Sequence, residues 1–227
     1  MKLSEKTIKI LKNFSSINQS ILFRTGTIIR TRSPMHTIAA QAVVDETFPF
    51  EFGIYDLNQF LSVTSLFEDP DFDFQENHVS ISSGDSSSNY YYTDKDMIQG
   101  VPKDSTPDFQ KELGFNLTES DVKSLIQAAN VMQLPNIIIE CEADKQEIVI
   151  TVKDSKNPTS NNFHKKVGET MLTNNFKYVL LVENIKLLPH SYDVSIITDP
   201  FMGVEFSSKY DKIKYWVPVE QGSKFNE

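Results

Sequence analysis

LSEKTIKIL occupies residues 3–11 of the chain, and a second nonapeptide of the same pattern, LTESDVKSL, occupies residues 117–125. Both fit Leu-[Ser/Thr]-Glu-x-x-[Ile/Val]-Lys-x-Leu, and the offset of 114 residues is half of the 227-residue chain. The hydroxyl residue of each copy can cap a helix whose first turn carries the glutamate. The repeat therefore predicts two copies of one unit, each with a capped helix at its start.

Further similarities follow in the same order in both halves, with offsets that change as the loops change length. They pair Ile54-Tyr55-Asp56 with Leu181-Val182-Glu183, Phe60-Leu61 with Leu187-Leu188, Val79–Ser82 with Val204–Ser207, and Tyr90–Tyr92 with Lys214–Trp216. We therefore predict an α+β fold of two similar domains, each an antiparallel sheet of roughly eight or nine short strands with two helices on one face. The predicted bounds are 1–98 for the first domain, 99–112 for a connector with Pro102 and Pro107, and 113–227 for the second domain.

The first helix is predicted from Leu3 to about Ile17, because apolar residues recur there at helical spacing. One face carries Leu3, Thr7, Ile10, Leu11 and Phe14, and the opposite side carries Lys2, Lys6 and Lys9, with Lys12 flanking them. A lysine stripe of this kind is usually only a solvated face. Asp56 predicts the cap of a second, short helix through Leu57, Phe60, Leu61 and Leu66.

The rest of the first half has strand character. Its β-prone runs are 21–23, 27–31, 38–44, 48–55, 72–74, 79–82 and 90–93, with a turn predicted at 82–89. In the second half Tyr215–Val219 is predicted as the final strand, and Cys141, the only cysteine, as an ordinary strand residue. A single cysteine allows neither an intrachain disulfide nor a thiolate metal cluster.

Composition and charge narrow the class of protein. Hydrophobic residues make up 39% of the chain, which suits a globular protein with a buried core. No apolar run approaches the roughly 18 to 20 residues that cross a bilayer, so we expect a cytosolic protein with no membrane partner. The net charge of −9 argues against a protein that simply coats nucleic acid.

The charge is nevertheless segregated along the chain. Residues 1–32 hold seven basic groups against the single acid Glu5, whereas residues 33–94 hold eleven acids and no lysine or arginine. Such segregation permits one basic surface on an acidic body, which can steer an anionic partner to one face. Solvated charge without a partner is the alternative interpretation.

The sequence contains no recognisable catalytic or metal-binding motif. The histidines are scattered without metal-ligand spacing, and they are His36, His78, His164 and His190. Asp69, Asp71 and Asp73 alternate with phenylalanines, as a half-buried strand requires. We therefore predict no catalytic residue, no metal and no cofactor. Two alternative functions remain. One is a carboxylate-dependent hydrolase that uses these three aspartates, and the other is an acidic adaptor without a DNA role.

The amino-terminal block and a later segment carry a resemblance to a known family, and the residues concerned are Met1-Lys2-Leu3-Ser4, Thr7, Leu11-Lys12-Asn13-Phe14, Ile17-Asn18, and Tyr55-Asp56-Leu57-Asn58 with Phe60-Leu61. These segments resemble the sliding clamp of T-even-type bacteriophages. Chain length and the two-copy order agree with this resemblance, which spans nearly the whole chain. It implies a homotrimer of two-domain subunits closed into a ring, with helices lining the hole and sheets forming the outer wall.

A clamp of this family is a non-catalytic processivity factor that encircles double-stranded DNA and tethers the replicative DNA polymerase. The resemblance also implies loading by an ATP-driven clamp loader complex, phage transcription factors as further partners, and a location in the cytoplasm of the infected bacterial host. The DNA-facing residues that it implies are Lys2, Lys6, Lys9, Lys12, Lys123 and Lys186. Because residues 57–66 contain no basic residue, we expect the charge around the hole to be uneven.

Clamps of this type also carry an outer hydrophobic pocket that captures short peptide tails of the polymerase and other partners. Here Tyr215–Val219 resembles the aromatic-x-x-Pro stretch that borders this pocket, and the connector supplies the other wall. The resemblance therefore implies a partner-peptide pocket formed by Val101, Pro102, Phe109, Trp216, Val217 and Pro218.

Overall fold

The computed structural model describes residues 1–104, 108–142, 145–169, 175–208 and 210–225. The chain divides into unit 1, which comprises Met1–Ser105 and Asp211–Ile213, and unit 2, which comprises Thr106–Tyr210 and Lys214–Glu227. The predicted organisation in two units is thereby confirmed. The bounds 1–98, 99–112 and 113–227 stay a prediction, and Pro107 of the connector lies outside the described residues.

Unit 1 contains two α-helices and seven strands within the described residues. The helices are α1 (Glu5–Ile17) and α2 (Leu57–Thr64), and a 3-10 helix spans Lys95–Met97. The strands are β1 (Ile21–Phe23), β2 (Gly26–Arg32), β3 (Ala39–Phe48), β4 (Phe52–Ile54), β5 (Asp71–Phe74), β6 (His78–Ser83) and β7 (Ser86–Tyr91). Strand β1 pairs with β4, β2 pairs with β3, and β5, β6 and β7 form an antiparallel sheet in that order.

Helix α1 begins after Ser4, whose hydroxyl accepts a hydrogen bond from the backbone N–H of Thr7 at 3.2 Å. Its buried residues are Thr7, Ile10, Leu11, Phe14 and Ile17, and they pack against α2 and β3. The predicted cap and apolar face are therefore confirmed, although Leu3 precedes the helix. Full burial of one such aliphatic side chain stabilises the fold by about 1.5 to 3 kcal/mol.

Helix α2 begins at the predicted cap, where the Asp56 carboxylate accepts a hydrogen bond from the N–H of Gln59 at 2.9 Å. It ends at Thr64, and Leu66 is 77% exposed, so the predicted extension to Leu66 is wrong. The hydroxyl groups of Thr64 and Ser65 donate to backbone carbonyl oxygens of the preceding turn. Such local hydrogen bonds compete with continuation of a helix.

The core of unit 1 is rich in phenylalanine. The ring of Phe23 lies 4.6 Å from that of Phe48 and 4.7 Å from that of Phe52, measured between centroids. On β5 Phe72 is buried between the exposed Asp71 and Asp73, so the predicted half-buried strand is confirmed. Strands β6 and β7 extend into the turn predicted at 82–89, which leaves only residues 84 and 85 between them.

Within its described residues, unit 2 contains one α-helix, α3 (Glu119–Met132), and a 3-10 helix at Val182–Asn184. Its strands are β8 (Gln110–Leu117), β9 (Asn136–Glu142), β10 (Glu147–Lys153), β11 (Asn162–Glu169), β12 (Phe176–Leu181), β13 (Tyr192–Asp199), β14 (Gly203–Ser208), β15 (Ile213–Pro218, from Lys214 onwards) and β16 (Lys224–Phe225). One sheet has the order β11, β10, β9, β12, β16, and a second group has the order β15, β14, β13, β8. Cys141 is buried on β9, as predicted, whereas β15 is followed by β16 and is not the final strand.

The second helix expected in unit 2 is only a 3-10 helix. Helix α2 has the Asp56 cap, whereas Leu181, which directly precedes Val182–Asn184, offers no capping hydrogen bond. The N–H of Val182 donates instead to the carbonyl oxygen of Pro135 at 2.9 Å, and Pro189 limits how far a helix can continue. Unit 2 therefore repeats the first helix of unit 1 as α3 and shortens the second, and its described strands number nine against seven in unit 1.

Candidate functional site

Helix α1 presents Lys9 and Lys12 to solvent, away from its buried face. Within the described part of the chain, neither ammonium group forms an ion pair, although Glu5 lies four residues before Lys9. Uncompensated cations on one helical face attract anions, and they do so without regard to sequence when the anion is a phosphate backbone.

Lys2 and Lys6 are engaged by acids of unit 1. Lys2 forms a salt bridge with Asp69, and the hydrogen bond in this pair raises the pKa of Lys2 above its usual value. On α1 the Lys6 ammonium lies 3.8 Å from a carboxylate oxygen of Asp211. The structure therefore compensates the charge of both residues and leaves Lys9 and Lys12 as the available cations of this segment.

Lys123 of helix α3 corresponds to Lys9 in the sequence repeat, but its charge is compensated. Its ammonium lies 2.5 Å from a carboxylate oxygen of Glu119, one turn earlier on the same helix. Lys186 follows the 3-10 helix of unit 2 and is half-buried. The predicted cations of unit 2 thus differ in environment from those of α1.

Asp121 adds negative charge to the start of α3 and fixes this end of the helix. Its carboxylate accepts from the N–H and the hydroxyl of Thr118 at 2.9 and 2.7 Å, which completes a capping box, and it forms an ion pair with Lys165 of β11. Burial disfavours the charged form, but the bonds from Lys165 and Thr118 outweigh burial and lower the pKa of Asp121.

Glu46 plays the corresponding role at the start of α1, although it lies 42 residues from Ser4 in the sequence. This buried carboxylate of β3 accepts from the N–H of Ser4 and from the hydroxyl of Thr7, both at 2.5 Å. Burial raises the pKa of Glu46, but these hydrogen bonds prevail and hold it below its usual value. Glu46 therefore fixes the start of the helix that carries Lys9 and Lys12.

Helix α2 contributes neutral polar groups to solvent. Asn58, Gln59 and Ser62 are exposed, and the helix contains no charged residue. In unit 1 helix α1 therefore presents positive charge to solvent and α2 does not, and the uneven charge expected around the hole stays a prediction.

Three aromatic residues of unit 2 meet beside β15, and we call them the aromatic cluster: Phe109, Phe201 and Trp216. The Phe109 ring lies 5.6 Å from that of Phe201 and 5.9 Å from that of Trp216. Trp216 donates its indole N–H to the carboxylate of Glu205 at 2.8 Å. The structure thus brings together two residues of the predicted peptide pocket, Phe109 and Trp216.

The other predicted pocket residues have different surroundings. Val217 is fully buried and Pro218 is half-buried on β15. In unit 1 the carbonyl oxygens of Val101 and Pro102 accept hydrogen bonds from the guanidinium groups of Arg32 and Arg24, at 3.2 and 3.0 Å. These two arginines therefore fix the first residues of the predicted connector.

The sequence alone did not indicate a role for Glu46, Phe201, Glu205, Arg24 or Arg32. The sequence carried no signal that Glu205 is buried, because an acid between Val204 and Phe206 fits the ordinary alternation of a half-buried strand. Glu46 and the arginines carry no signal either, since their partners lie far away in the sequence.

The described residues contain no group of three or more histidine, cysteine, aspartate or glutamate side chains arranged to hold a metal ion. Of the three aspartates around β5, Asp69 is bound by Lys2, and Asp71 and Asp73 point to solvent. In the described part of the chain, no helix has the length and apolar character needed to cross a membrane.

Comparison with known proteins gives matches over both halves of the chain. Residues 2–103 match the family described as DNA polymerase processivity factor, and residues 114–221 match the family described as gp45 sliding clamp, C terminal. The sliding clamp of Escherichia phage RB69 is 32% identical, with 98% of each chain covered. The sliding clamp of Vibrio phage KVP40 is 30% identical over 86% of this chain and 90% of the relative.

Solved structures with the same fold share little sequence with this chain. The proliferating cellular nuclear antigen of Entamoeba histolytica superposes with a TM-score of 0.70 at 13% identity, covering 96% of this chain and 97% of the other. The A. fulgidus PCNA bound to the C-terminal region of FEN-1 gives a TM-score of 0.68 at 13% identity, covering 96% of both chains. At these identities the likeness establishes the fold alone.

Proposed function

The chain belongs to the sliding-clamp family of DNA polymerase processivity factors, and from that membership we propose that three copies close into a ring around double-stranded DNA. As a member of this family it is a non-catalytic replication protein. In this proposal the ring tethers the replicative polymerase, is loaded by an ATP-driven clamp loader complex, and also serves phage transcription factors. All of these partners meet it in the cytoplasm of the infected bacterial host.

The single observation that carries the DNA contact is the pair of exposed, uncompensated lysines on α1. Lys9 and Lys12 have no ion-pair partner in the described residues, whereas Lys123 is paired with Glu119. We assign the principal phosphate contacts to Lys9 and Lys12. Lys2, Lys6, Lys123 and Lys186 contribute less, because three of them are already compensated and Lys186 is half-buried.

Enclosure explains how a chain with a net charge of −9 works on DNA. A protein that binds DNA in solution needs many phosphate contacts to hold it, and its affinity falls steeply with salt. A closed ring is held by topology, so it needs only enough positive charge to avoid repelling the duplex. Sparse contacts also favour sliding, because each contact must break as the ring moves.

Ring closure requires two different edges that pair between subunits, since identical edges would give closed dimers. In unit 1, β5 is occupied on its outer side by Met1, whose backbone exchanges two hydrogen bonds with Phe72 at 2.7 and 2.8 Å. Strand β7 is therefore the open edge of that sheet. In unit 2, β11 is an edge of eight residues, whereas β16 at the other edge has two. We assign the subunit contact to β7 of one copy and β11 of the next.

Sedimentation equilibrium over a range of protein concentrations tests the ring. Three chains of 25.9 kDa give about 78 kDa, and we expect this mass with dissociation only on dilution. A mass of one chain at all concentrations, or of two chains, would overturn the proposal.

A single substitution in β7 tests which edge closes the ring. Ser83 and Ser86 are paired and flank the two-residue turn, a position that is hydrogen-bonded in a two-residue hairpin. Because hydrogen-bonded and non-hydrogen-bonded pairs alternate, the N–H of Asn89 is directed away from β6. Asn89→Pro removes this outward donor, and we expect the trimer to dissociate at higher concentration. Asn89→Ala keeps the donor and serves as the control. Equal trimer stability in both variants would exclude β7 as the contact.

The aromatic cluster carries the proposal for partner binding. Phe109 and Trp216 lie together in unit 2, and we assign to this region the pocket for the peptide tail of the polymerase. Val101, Pro102, Val217 and Pro218 stay predictions from the family resemblance. Phe109→Ala tests the pocket, and we expect it to weaken binding of a synthetic polymerase-tail peptide by about tenfold, since aromatic anchors dominate interface energies.

A further inference from the structure

Glu205 is a buried carboxylate in an otherwise apolar strand. It is 3% exposed on β14, between the buried residues Val204 and Phe206. Successive side chains of a strand point to opposite faces, so Glu205 faces away from these two core residues. A carboxylate is costly to bury unless hydrogen bonds and an opposite charge compensate it.

Both oxygens of Glu205 are engaged. One oxygen accepts the indole N–H of Trp216 at 2.8 Å. The other accepts from the ammonium of Lys111 at 2.7 Å, and the Lys214 ammonium lies 3.7 Å from it. Because the acceptor is charged, these bonds are shorter and stronger than those between neutral groups.

The bond to Trp216 fixes a ring of the aromatic cluster. Trp216 is 7% exposed, and a buried indole N–H needs an acceptor to remain inside the protein. The contact of the Trp216 ring with Phe109, at 5.9 Å between centroids, depends on how the indole is rotated. Lys111 in turn holds the carboxylate from β8, so the ring orientation is determined by a network across the sheet.

We propose that Glu205 is a positioning residue that orients the indole of Trp216 in the wall of the partner-peptide pocket. This inference rests on the pocket assigned above, but the orientation of Trp216 can be measured without any peptide. Glu205 does not contact the peptide in this account. It keeps the aromatic wall in one arrangement, so that binding does not have to order the indole.

The test uses the full-length protein with Glu205→Ala, Glu205→Gln and, as a control, Glu140→Ala. Glutamine keeps an acceptor for the indole, whereas alanine removes it. Glu140 is another strand glutamate of unit 2, on β9, in a different sheet. Trp216 is the only tryptophan, so the fluorescence emission and the single indole N–H resonance report on this ring alone.

We expect Glu205→Ala to shift the emission to longer wavelength, to move the indole N–H resonance upfield, and to weaken binding of the synthetic polymerase-tail peptide by about tenfold. Glu205→Gln is expected to restore the emission and most of the affinity. Glu140→Ala is expected to match the natural protein in both measurements. A general loss of folding would change the Trp216 signal of each variant in line with its melting temperature. The change would then not depend on whether residue 205 offers an acceptor to the indole.

The two proposals fail in different ways. Unchanged emission and indole resonance in Glu205→Ala would overturn the role of Glu205 whatever the peptide does. An altered Trp216 signal with unaltered peptide affinity would contradict its role in the pocket. If the natural protein does not bind the peptide while the Trp216 signal still follows the acceptor, the pocket assignment is wrong, and Glu205 orients Trp216 without serving that site.

Discussion

Helices α1 and α3 occupy the same place in the two copies of the repeat, but they differ in charge. Both begin with a hydroxyl cap and bury the last leucine of the shared pattern, Leu11 or Leu125, whereas Val122 is buried and its counterpart Ile8 is only half-buried. On α1, Lys9 and Lys12 lack ion-pair partners in the described residues, whereas on α3 Lys123 is paired with Glu119. The repeat thus preserves the glutamate and the lysine of the pattern in both helices, but the ion pair between them forms only on α3.

The two helices are also anchored differently. Helix α3 closes its own capping box through Thr118 and Asp121, which are three residues apart. Helix α1 relies on Glu46, a buried carboxylate on β3, for the same purpose. The start of α1 therefore depends on tertiary structure, and that of α3 on local sequence.

Replacement of Glu46 by alanine should have the largest effect of any change at the two helix starts. It leaves the Ser4 N–H and the Thr7 hydroxyl without an acceptor in a buried place, and we expect a loss of about 2 to 3 kcal/mol in the free energy of unfolding. Urea denaturation followed by circular dichroism measures this loss. A loss no larger than that of Asp121→Ala would mean that the two helices are anchored alike.

The stability contributed by Glu46 should depend on pH. Because the folded protein lowers its pKa, the contribution is complete above the unfolded value of about 4.3 and is lost as the pH falls through the lower folded value. The natural protein should therefore lose stability on acidification below about pH 4.3 more steeply than Glu46→Gln does. Parallel curves for the two proteins would show that Glu46 does not titrate in this way.

Charge reversal at Lys9 and Lys12 should shorten the residence of the loaded protein on DNA by about tenfold, because two phosphate attractions become repulsions. The same reversal at Lys123 alone should have a much smaller effect, since Glu119 already neutralises it. Dissociation from nicked circular DNA, followed at low and moderate salt, measures both. If each reversed charge shortened the residence on DNA equally, the proposed difference between the lysines of α1 and Lys123 of α3 would be wrong.

Asp121→Ala should cost about 1 kcal/mol of stability, because Thr118 still caps α3 while the second half of the capping box and the ion pair with Lys165 are lost. Urea denaturation measures the loss. Thr118→Ala is the matched variant, and a larger loss there is expected if the hydroxyl cap dominates. A loss of stability larger than that of Glu46→Ala would contradict the proposal that Glu46 anchors its helix more strongly than Asp121 does.

Glu119→Gln should have the smallest effect. It releases Lys123 from its ion pair, so residence on DNA should lengthen by less than about twofold, as expected for an exposed pair of weak net energy. A shorter residence on DNA would show that Lys123 does not face the duplex.

The local sequence predicted a large part of the fold. The helical spacing of apolar residues and the capping residues identified α1, α3 and the start of α2. The alternation of aspartate with phenylalanine identified β5. The extent of α2 and the 3-10 helix at Val182–Asn184 were not foreseen, because competing local hydrogen bonds and a missing cap decide them.

Less of the candidate site could be predicted from the residues. The lysines were visible as a stripe, but the pairing of Lys2 with Asp69 and of Lys6 with Asp211 requires the folded chain. Glu46 and Glu205 act on residues that are distant in sequence or on neighbouring strands, so their roles follow only from tertiary contacts. The roles of the lysines and of the aromatic cluster stay predictions.

Enclosure of DNA is tested most directly by the retention of loaded protein on circular DNA before and after the circle is cut. Nicked circular DNA is loaded with the clamp loader complex and ATP, free protein is removed, and half of the sample is linearised by a restriction enzyme. We expect the protein to remain on the circles and to leave the linear molecules from their ends, at both low and moderate salt. Equal retention on circular and linear DNA, with loss governed by salt alone, would contradict a ring held by topology.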